Sequence, residues 1–167
     1  MEIEAFFSLF KKPFTVKYPF EPSPPPEGFR GRTEFTEDCV GCGACAAVCP
    51  PKAITITDEG DTRVMKIDHG LCIFCQTCQD TCPWDGIELT QKFEMATLDK
   101  NQSFDQIEHE LLFCEGCGAV ITTKKHMEEI KKAIEDVGLL DKDKEHIEKL
   151  CTACKRRKFA EESEIVY

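Results

Sequence analysis

A chain of 167 residues with 12 cysteines and a formal net charge of −10 suits one domain or two small ones. It contains no run of 18 apolar residues, so no transmembrane helix is expected. Its acidity also argues against binding a nucleic-acid backbone, which needs concentrated Lys and Arg. The charge is uneven: residues 33–90 carry ten acidic and three basic side chains, whereas residues 1–32 are nearly neutral.

Residues 1–30 show no apolar stretch followed by a small-residue cleavage site. Every cysteine belongs to a regularly spaced group, and closely spaced C-x2-C pairs prefer metals to structural disulfides. A reducing compartment is therefore expected.

Within residues 1–33, Ile3, Phe6, Phe7 and Phe10 follow the i, i+3, i+4, i+7 pattern of one helical face. A helix over residues 1–12 is too short to stand alone, so its aromatic stripe needs its own domain, a partner subunit or a membrane interface. Residues 13–33 hold Pro13, Pro19, Pro22, Pro24, Pro25 and Pro26, interrupted by Phe14, Val16, Tyr18, Phe20 and Phe29. This predicts an extended strap that lies along a surface, either its own core or a partner.

Residues 34–90 are an internal repeat at an offset of 33. Cys39, Cys42, Cys45, Cys49 and Pro50 align with Cys72, Cys75, Cys78, Cys82 and Pro83; Ile54 aligns with Ile87, and Ile56 with Leu89. Each half reads as a cysteine loop, a short helix, a proline and a strand. Val64 to Ile67 predicts a further strand, and Asp58-Glu-Gly-Asp61 a polar turn.

The spacing C-x2-C-x2-C-x3-C-P is the signature of a two-cluster ferredoxin, whose fourth cysteine ligates the other cluster. It assigns Cys39, Cys42, Cys45 and Cys82 to one [4Fe–4S] cluster, and Cys72, Cys75, Cys78 and Cys49 to a second. Zinc and disulfides are the alternatives, but tetrahedral zinc gives no reason for interleaved threefold runs. Gly41 and Gly43 keep the first loop slim, whereas Ile73, Phe74, Gln76 and Thr77 make the second bulkier, so the two potentials should differ. His69 lies three residues before Cys72, where it either sits at a strand end or couples a cluster to pH; His109, His126 and His146 carry less. Asp80, Asp85 and Glu88 read as a solvated face rather than a paired-carboxylate site, so no catalytic residue is assigned.

Residues 91–167 change character. Lys124 to Val137 predicts a helix with Met127, Ile130, Ile134 and Val137 on its apolar face, capped by Thr123 and Gly138. Asp141 is a candidate cap for a second helix reaching Leu150, and Lys155-Arg-Arg-Lys158 reads as a solvated helix end or a dock for an acidic partner. Cys114, Cys117, Cys151 and Cys154 form two C-x2-C knuckles with 33 residues between them. Four thiolates in two pairs suit a closed structural zinc site, which would staple a helical region with few apolar residues. A third iron–sulfur cluster, a disulfide or free thiols are the alternatives.

The expected architecture is α+β: a two-[4Fe–4S] ferredoxin-like core with a pseudo-two-fold repeat, an N-terminal strap, and a small metal-stapled C-terminal region. Three stretches carry a resemblance to a known family: Tyr18-Pro-Phe-Glu with Gly28-Phe-Arg-Gly31, Cys39 to Pro50, and Gly70-Leu-Cys-Ile-Phe-Cys75 through Cys82-Pro83. In them the chain resembles the ferredoxin-like iron–sulfur subunit shared by respiratory complex I and membrane-bound group 4 [NiFe]-hydrogenases. The Cys114/Cys117 and Cys151/Cys154 pairs resemble the formate hydrogenlyase type more than the usual complex I subunit.

The resemblance implies a non-catalytic relay, peripheral on the cytoplasmic side of the membrane. It would take electrons from an electron-input subunit or a ferredoxin. It would pass them to a small subunit that carries a further [4Fe–4S] cluster beside a large subunit. Two rivals remain at the level of sequence: a free soluble ferredoxin with extensions, and a redox-silent metal-stapled scaffold or nucleic-acid module.

Overall fold

A computed structural model describes residues 7, 10–11, 15–21, 23–137 and 148–162. Most of the expected N-terminal helix, Gly138, the helix expected after Asp141, and His146 lie outside the described residues. The elements run β1 (Thr33–Phe35), α1 (Ala44–Val48), β2 (Ile54–Glu59), β3 (Thr62–Asp68), α2 (Thr77–Thr81), β4 (Ile87–Leu89), β5 (Phe104–Phe113), β6 (Val120–Thr123), α3 (Lys124–Asp136) and α4 (Thr152–Glu162).

The repeat is built twice in the same way. Gly43 and Gln76, 33 residues apart, precede α1 and α2 in left-handed conformation, at φ 83° and 71°. Gly41 and Phe74 repeat that geometry at φ 72° and 52°, as do Lys52 and Asp85 at 56° and 50°. Where the first loop uses glycine, the second forces side chains into a conformation that costs about 1 kcal/mol or more at each residue. Both helices stop where proline demands. Cys49 and Cys82 are extended, at ψ 112° and 115°, because Pro50 and Pro83 push the preceding residue out of helix.

After each proline the chain enters a strand. β2 and β3 form an antiparallel hairpin from Ile54 opposite Ile67 to Glu59 opposite Thr62. Its loop is the pair Gly60-Asp61, with Gly60 at the positive φ (57°) that a two-residue hairpin favours at its first position. β1 and β4 form a separate two-stranded sheet, Thr33 opposite Leu89 and Phe35 opposite Ile87. That sheet ties the entry of the first half to the exit of the second. Met65, Ile67 and Ile87 are the largest apolar side chains of the core, at most 2% exposed. Burying each completely is worth about 1.5–3 kcal/mol.

The region after residue 90 is not only helical. β5 pairs with β3 over seven residues, and β6 pairs with β5, giving a four-stranded antiparallel sheet in the order β2-β3-β5-β6. In β5, Ile107, His109 and Leu111 turn inward while Gln106, Glu108 and Glu110 face solvent. This is the period-two pattern of a half-buried strand. The C-terminal part of the chain therefore extends the sheet of the cysteine repeat.

α3 starts as expected: the Thr123 hydroxyl accepts the His126 amide at 3.2 Å. Lys155 to Lys158 lie on α4, with Arg156 and Arg157 exposed. The strap packs partly on its own chain. Tyr18 donates to Glu94 at 2.6 Å, and the rings of Tyr18 and Phe29 each lie 6.3 Å from that of Phe93. Val16 and Phe20 stay 70% and 91% exposed, leaving an apolar edge to the strap. Among the described residues no helix is long and apolar enough to cross a membrane.

Candidate metal centres

Three groups of four cysteines come together. The first surrounds a cavity lined by Cys39, Cys42, Cys45 and Cys82, with Phe35, Met65, Trp84 and Ile87 among its walls. The second surrounds a cavity lined by Cys72, Cys75, Cys78 and Cys49, with Thr33, Ile54, Ile67 and Phe74 among its walls. Each cavity thus takes three cysteines from one loop and the fourth from the end of the other half's helix. Ile54 and Ile87, equivalent in the repeat, sit one in each.

The fourth cysteines are held alike. The Ala53 amide donates to Cys49 Sγ at 3.3 Å, and the Gly86 amide donates to Cys82 Sγ at 3.2 Å, again 33 residues apart. Gly86 is needed for another reason. A Cβ there would lie 2.5 Å from Cys39 Cα and 2.9 Å from its nitrogen, so the first loop packs directly on the glycine backbone. In the second cavity, Thr77 Oγ1 donates to Cys75 Sγ at 3.3 Å, and Thr33 Oγ1 lies 3.7 Å from Cys72 Sγ.

Burial makes Cys39, Cys45 and Cys78 poor thiolates unless something positive joins them. Burial pushes the Cys45 thiol up to about 12, with the neighbouring Cys39 adding to it. Burial likewise pushes Cys78 up to about 11. Cys75 goes the other way, lowered first by the Thr77 hydroxyl and then by the Thr77 amide. Four converging sulfurs, apolar walls and amides aimed at sulfur suit a metal cluster that ionises its ligands on binding.

The third group is Cys114, Cys117, Cys151 and Cys154, whose sulfurs all lie within 4.8 Å of one another. Cys117 Sγ and Cys151 Sγ are 3.5 Å apart, and the Cys151 amide donates to Cys114 Sγ at 3.2 Å. Thiolates about 2.3 Å from one tetrahedral ion lie about 3.8 Å apart, so little movement closes this site on a metal. The first knuckle is tight: Cys114 N donates to Ala119 O, and Gly118 N to Cys114 O, both at 2.8 Å, with Gly118 at φ 70°. The Cys151 amide, above the other donors, lowers the Cys114 thiol to about 6. Cys154 is pushed up to about 12, chiefly through its hydrogen bond with Cys117. The Cys114 and Cys151 thiols are thus both shifted toward ionisation. This is a four-cysteine metal-binding site.

The histidines divide. His69 is 8% exposed, with Nδ1 3.1 Å from Ser103 O and Nε2 2.9 Å from Thr33 O. Burial and then the Arg32 charge lower its pKa, although only an imidazolium could donate to both carbonyls. His69 therefore braces the Thr33 backbone rather than facing the second cavity. His109, given little weight from sequence, is as buried as His69 and packs against Gly41 of the first loop. Asp80, Asp85 and Glu88 are exposed.

Several residues around the first loop escaped the sequence reading. Thr123 Oγ1 donates to Val40 O, Arg63 Nη1 donates to Gly41 O at 3.2 Å, and Lys125 Nζ donates to Glu37 O. The helix-cap signal located Thr123, but its second bond joins residues 83 positions apart and has no local signature.

Comparison with known proteins places these sites in context. Residues 38–87 match the 4Fe-4S dicluster domain family. Over 111 residues the chain is 33% identical to the NAD(P)H-quinone oxidoreductase subunit I of Gloeobacter violaceus, covering 61% of this chain and 53% of that one. Over 115 residues it is 36% identical to the NADH-quinone oxidoreductase subunit I 2 of Geobacter metallireducens, covering 62% of this chain and 87% of that one. It thus spans nearly all of the second relative but about half of the first. A chain in the structure of the membrane-bound sulfane sulfur reductase, an archaeal respiratory membrane complex, aligns at a TM-score of 0.47 with 30% identity, over 60% of this chain and 56% of that chain.

Proposed function

The chain belongs to the subunit I family of the NADH-quinone and NAD(P)H-quinone oxidoreductases, and we propose that it is a non-catalytic electron relay within a membrane-associated complex of that kind. The single observation that carries the reading is the pair of neighbouring four-cysteine cavities, each completed by a cysteine from the other half of the repeat. Cys39, Cys42, Cys45 and Cys82 would hold one [4Fe–4S] cluster, and Cys72, Cys75, Cys78 and Cys49 the other. Bound there, the clusters supply one-electron storage and exchange. The chain's own part is to fix the ligands, keep water from the sulfurs with Phe35, Met65, Ile54 and Ile67, and keep the two cavities adjacent.

At the third site, Cys114, Cys117, Cys151 and Cys154 would hold zinc as a structural staple. Zinc has no redox chemistry, so the relay would run through the first two sites only. The organisation proposed is a docking strap over 1–33, a cluster domain over 34–90 and a stapled region over 91–167, with β5 joining the last two.

The partners would be an electron-input subunit or ferredoxin on one side, and on the other a small subunit that carries a [4Fe–4S] cluster beside a large subunit. The exposed Val16 and Phe20 support docking through the strap. The setting is the cytoplasmic face of the membrane, held through the complex. Placement in a group 4 [NiFe]-hydrogenase of the formate hydrogenlyase type, rather than a quinone-reducing complex, is supported by the C-terminal cysteine pairs alone.

The test is iron, sulfide and zinc content of anaerobically purified protein, with EPR of the dithionite-reduced form. Two cubanes and one zinc per chain with an interacting two-spin signal are expected; zinc without an EPR signal overturns the relay. Replacing Cys49 by Ala separates the crossed ligation from its alternative. The cluster built on Cys72, Cys75 and Cys78 should be damaged, and loss of only the other would refute the crossing.

A further inference from the structure

The two cysteine loops differ in the charges that touch them. Arg63 on β3 gives Nε and Nη2 to the Asp58 carboxylate at 2.8 and 2.9 Å, which leaves Nη1 for the Gly41 carbonyl. The guanidinium is largely buried, its side chain 17% exposed, and its charge reaches Cys42. Lys125, in the first turn of α3, donates to the Glu37 carbonyl, and its charge reaches Cys39. Lys125 and the Arg63–Asp58 ion pair, which turns its guanidinium edge toward the loop, therefore hold the main chain on either side of Cys39.

Neutral groups fill the space between them. His109, packed on Gly41, has no partner for Nε2, and burial, with Lys125 and Arg63 adding to it, keeps its pKa down. Glu37 and Asp38 are exposed, where water and salt screen them. The second loop has no counterpart: among the described residues no cationic side chain donates to a carbonyl between Cys72 and Cys78. The charge felt at Cys75 is that of exposed Arg30.

Resting on the two-cluster reading above, we infer that Arg63 and Lys125 raise the reduction potential of the first cluster more than that of the second. Reduction adds a negative charge to the site, and a half-buried cation nearby stabilises the reduced form more than the oxidised one. Both residues act through charge and through the loop they hold, so they are positioning residues rather than ligands. Lys125 is supplied by the C-terminal extension. The sheet extension and α3 thus do more than staple the chain: they bring a charge to one end of the relay.

The experiment is an EPR-monitored redox titration of the full chain, beside iron and sulfide analysis. Cys42→Ser and Cys75→Ser each alter one cluster's signal and so assign the two waves. Arg63→Gln and Lys125→Gln should each move the first cluster's midpoint downward, further in the double variant, with the second wave moving clearly less. Arg63→Lys and Lys125→Arg should restore most of the shift. Waves that move equally or not at all overturn the inference, as does a charge-conserving variant that behaves like its glutamine. Where Arg63→Gln loses iron, Lys125→Gln, half-buried and away from β3, carries the same test. Fewer than two clusters in the unsubstituted chain would instead sink the relay reading on which the inference stands.

Discussion

Met65 and Ile67 lie two residues apart on one face of β3, and each closes a different cysteine cavity. Side chains at i and i+2 share a face, and two residues of strand advance about 6.6 Å, so one short strand forms a wall of both sites. β1 repeats the arrangement, with Thr33 at one cavity and Phe35 at the other. The closeness of the two sites follows from the pleat of these strands.

That wall should be divisible by mutation. Met65 and Ile67 are 1% and 0% exposed, so alanine at either costs about 2–5 kcal/mol and admits water to one cavity. Met65→Ala should speed aerobic bleaching of the cluster signal assigned to Cys39, Cys42, Cys45 and Cys82; Ile67→Ala should speed the other. Equal bleaching of both signals in each variant would show that the cavities open as one.

Gly86→Ala tests the close approach of the two halves. The new Cβ would sit 2.5 Å from Cys39 Cα, a backbone atom that cannot swing aside. The first loop must move, and the cluster nearest it should be lost first, read as a fall in iron content with the second signal retained. Gly60→Ala is the control. Nothing lies within 4 Å of its Cβ, so only the strain of a positive φ, about 1 kcal/mol, is expected.

The repeat was legible because spacing is local. The offset of 33 located both cysteine loops, α1, α2, β2 and β4, and the prolines located the helix ends. β5 is not legible although its alternation is regular, because Asp105, Gln106, Glu108, His109 and Glu110 fill half of its ten positions and His109 faces inward among apolar groups. Arg63, Lys125 and Thr123 were invisible as loop contacts for a different reason. Each reaches a carbonyl 22 to 88 residues away, and such partners appear only once β3, β5 and β6 are paired. Gln76 and Phe74 show the opposite limit, since nothing in those residue types announces a left-handed backbone.

Acid should weaken the extended sheet. Burial lowers the His109 pKa, with Lys125 and Arg63 adding to it, and burial also lowers that of His126. Above the unfolded value of about 6.5, both are neutral in either state and cost nothing. As pH falls below that, the unfolded chain takes up protons that the folded histidines refuse, so stability drops until their lowered folded values are passed. The urea midpoint, followed by circular dichroism, should therefore fall between neutral pH and pH 5. His109→Gln should flatten part of that slope, and an unchanged slope would mean the histidines are solvated.

Removing the C-terminal metal should loosen one part of the chain and spare another. Cys114 and Cys117 lie at the turn between β5 and β6, and Cys151 and Cys154 flank the start of α4, so a metal held by all four would tie α4 to the sheet extension. With Cys151→Ala or a zinc chelator, amide exchange over residues 148–162 should rise sharply. Both cluster signals should persist, because the first loop is secured by a separate bond: Thr123, 0% exposed, donates to Val40 O and accepts from His126 N. Thr123→Val breaks both contacts and leaves a buried carbonyl unpaired, at a cost of about 1–3 kcal/mol. That variant should destabilise the first cluster while its zinc content stays normal, and Thr123→Ser should recover most of the loss. If Cys151→Ala instead removes a cluster signal, the four C-terminal cysteines serve the relay itself and zinc is the wrong metal for them.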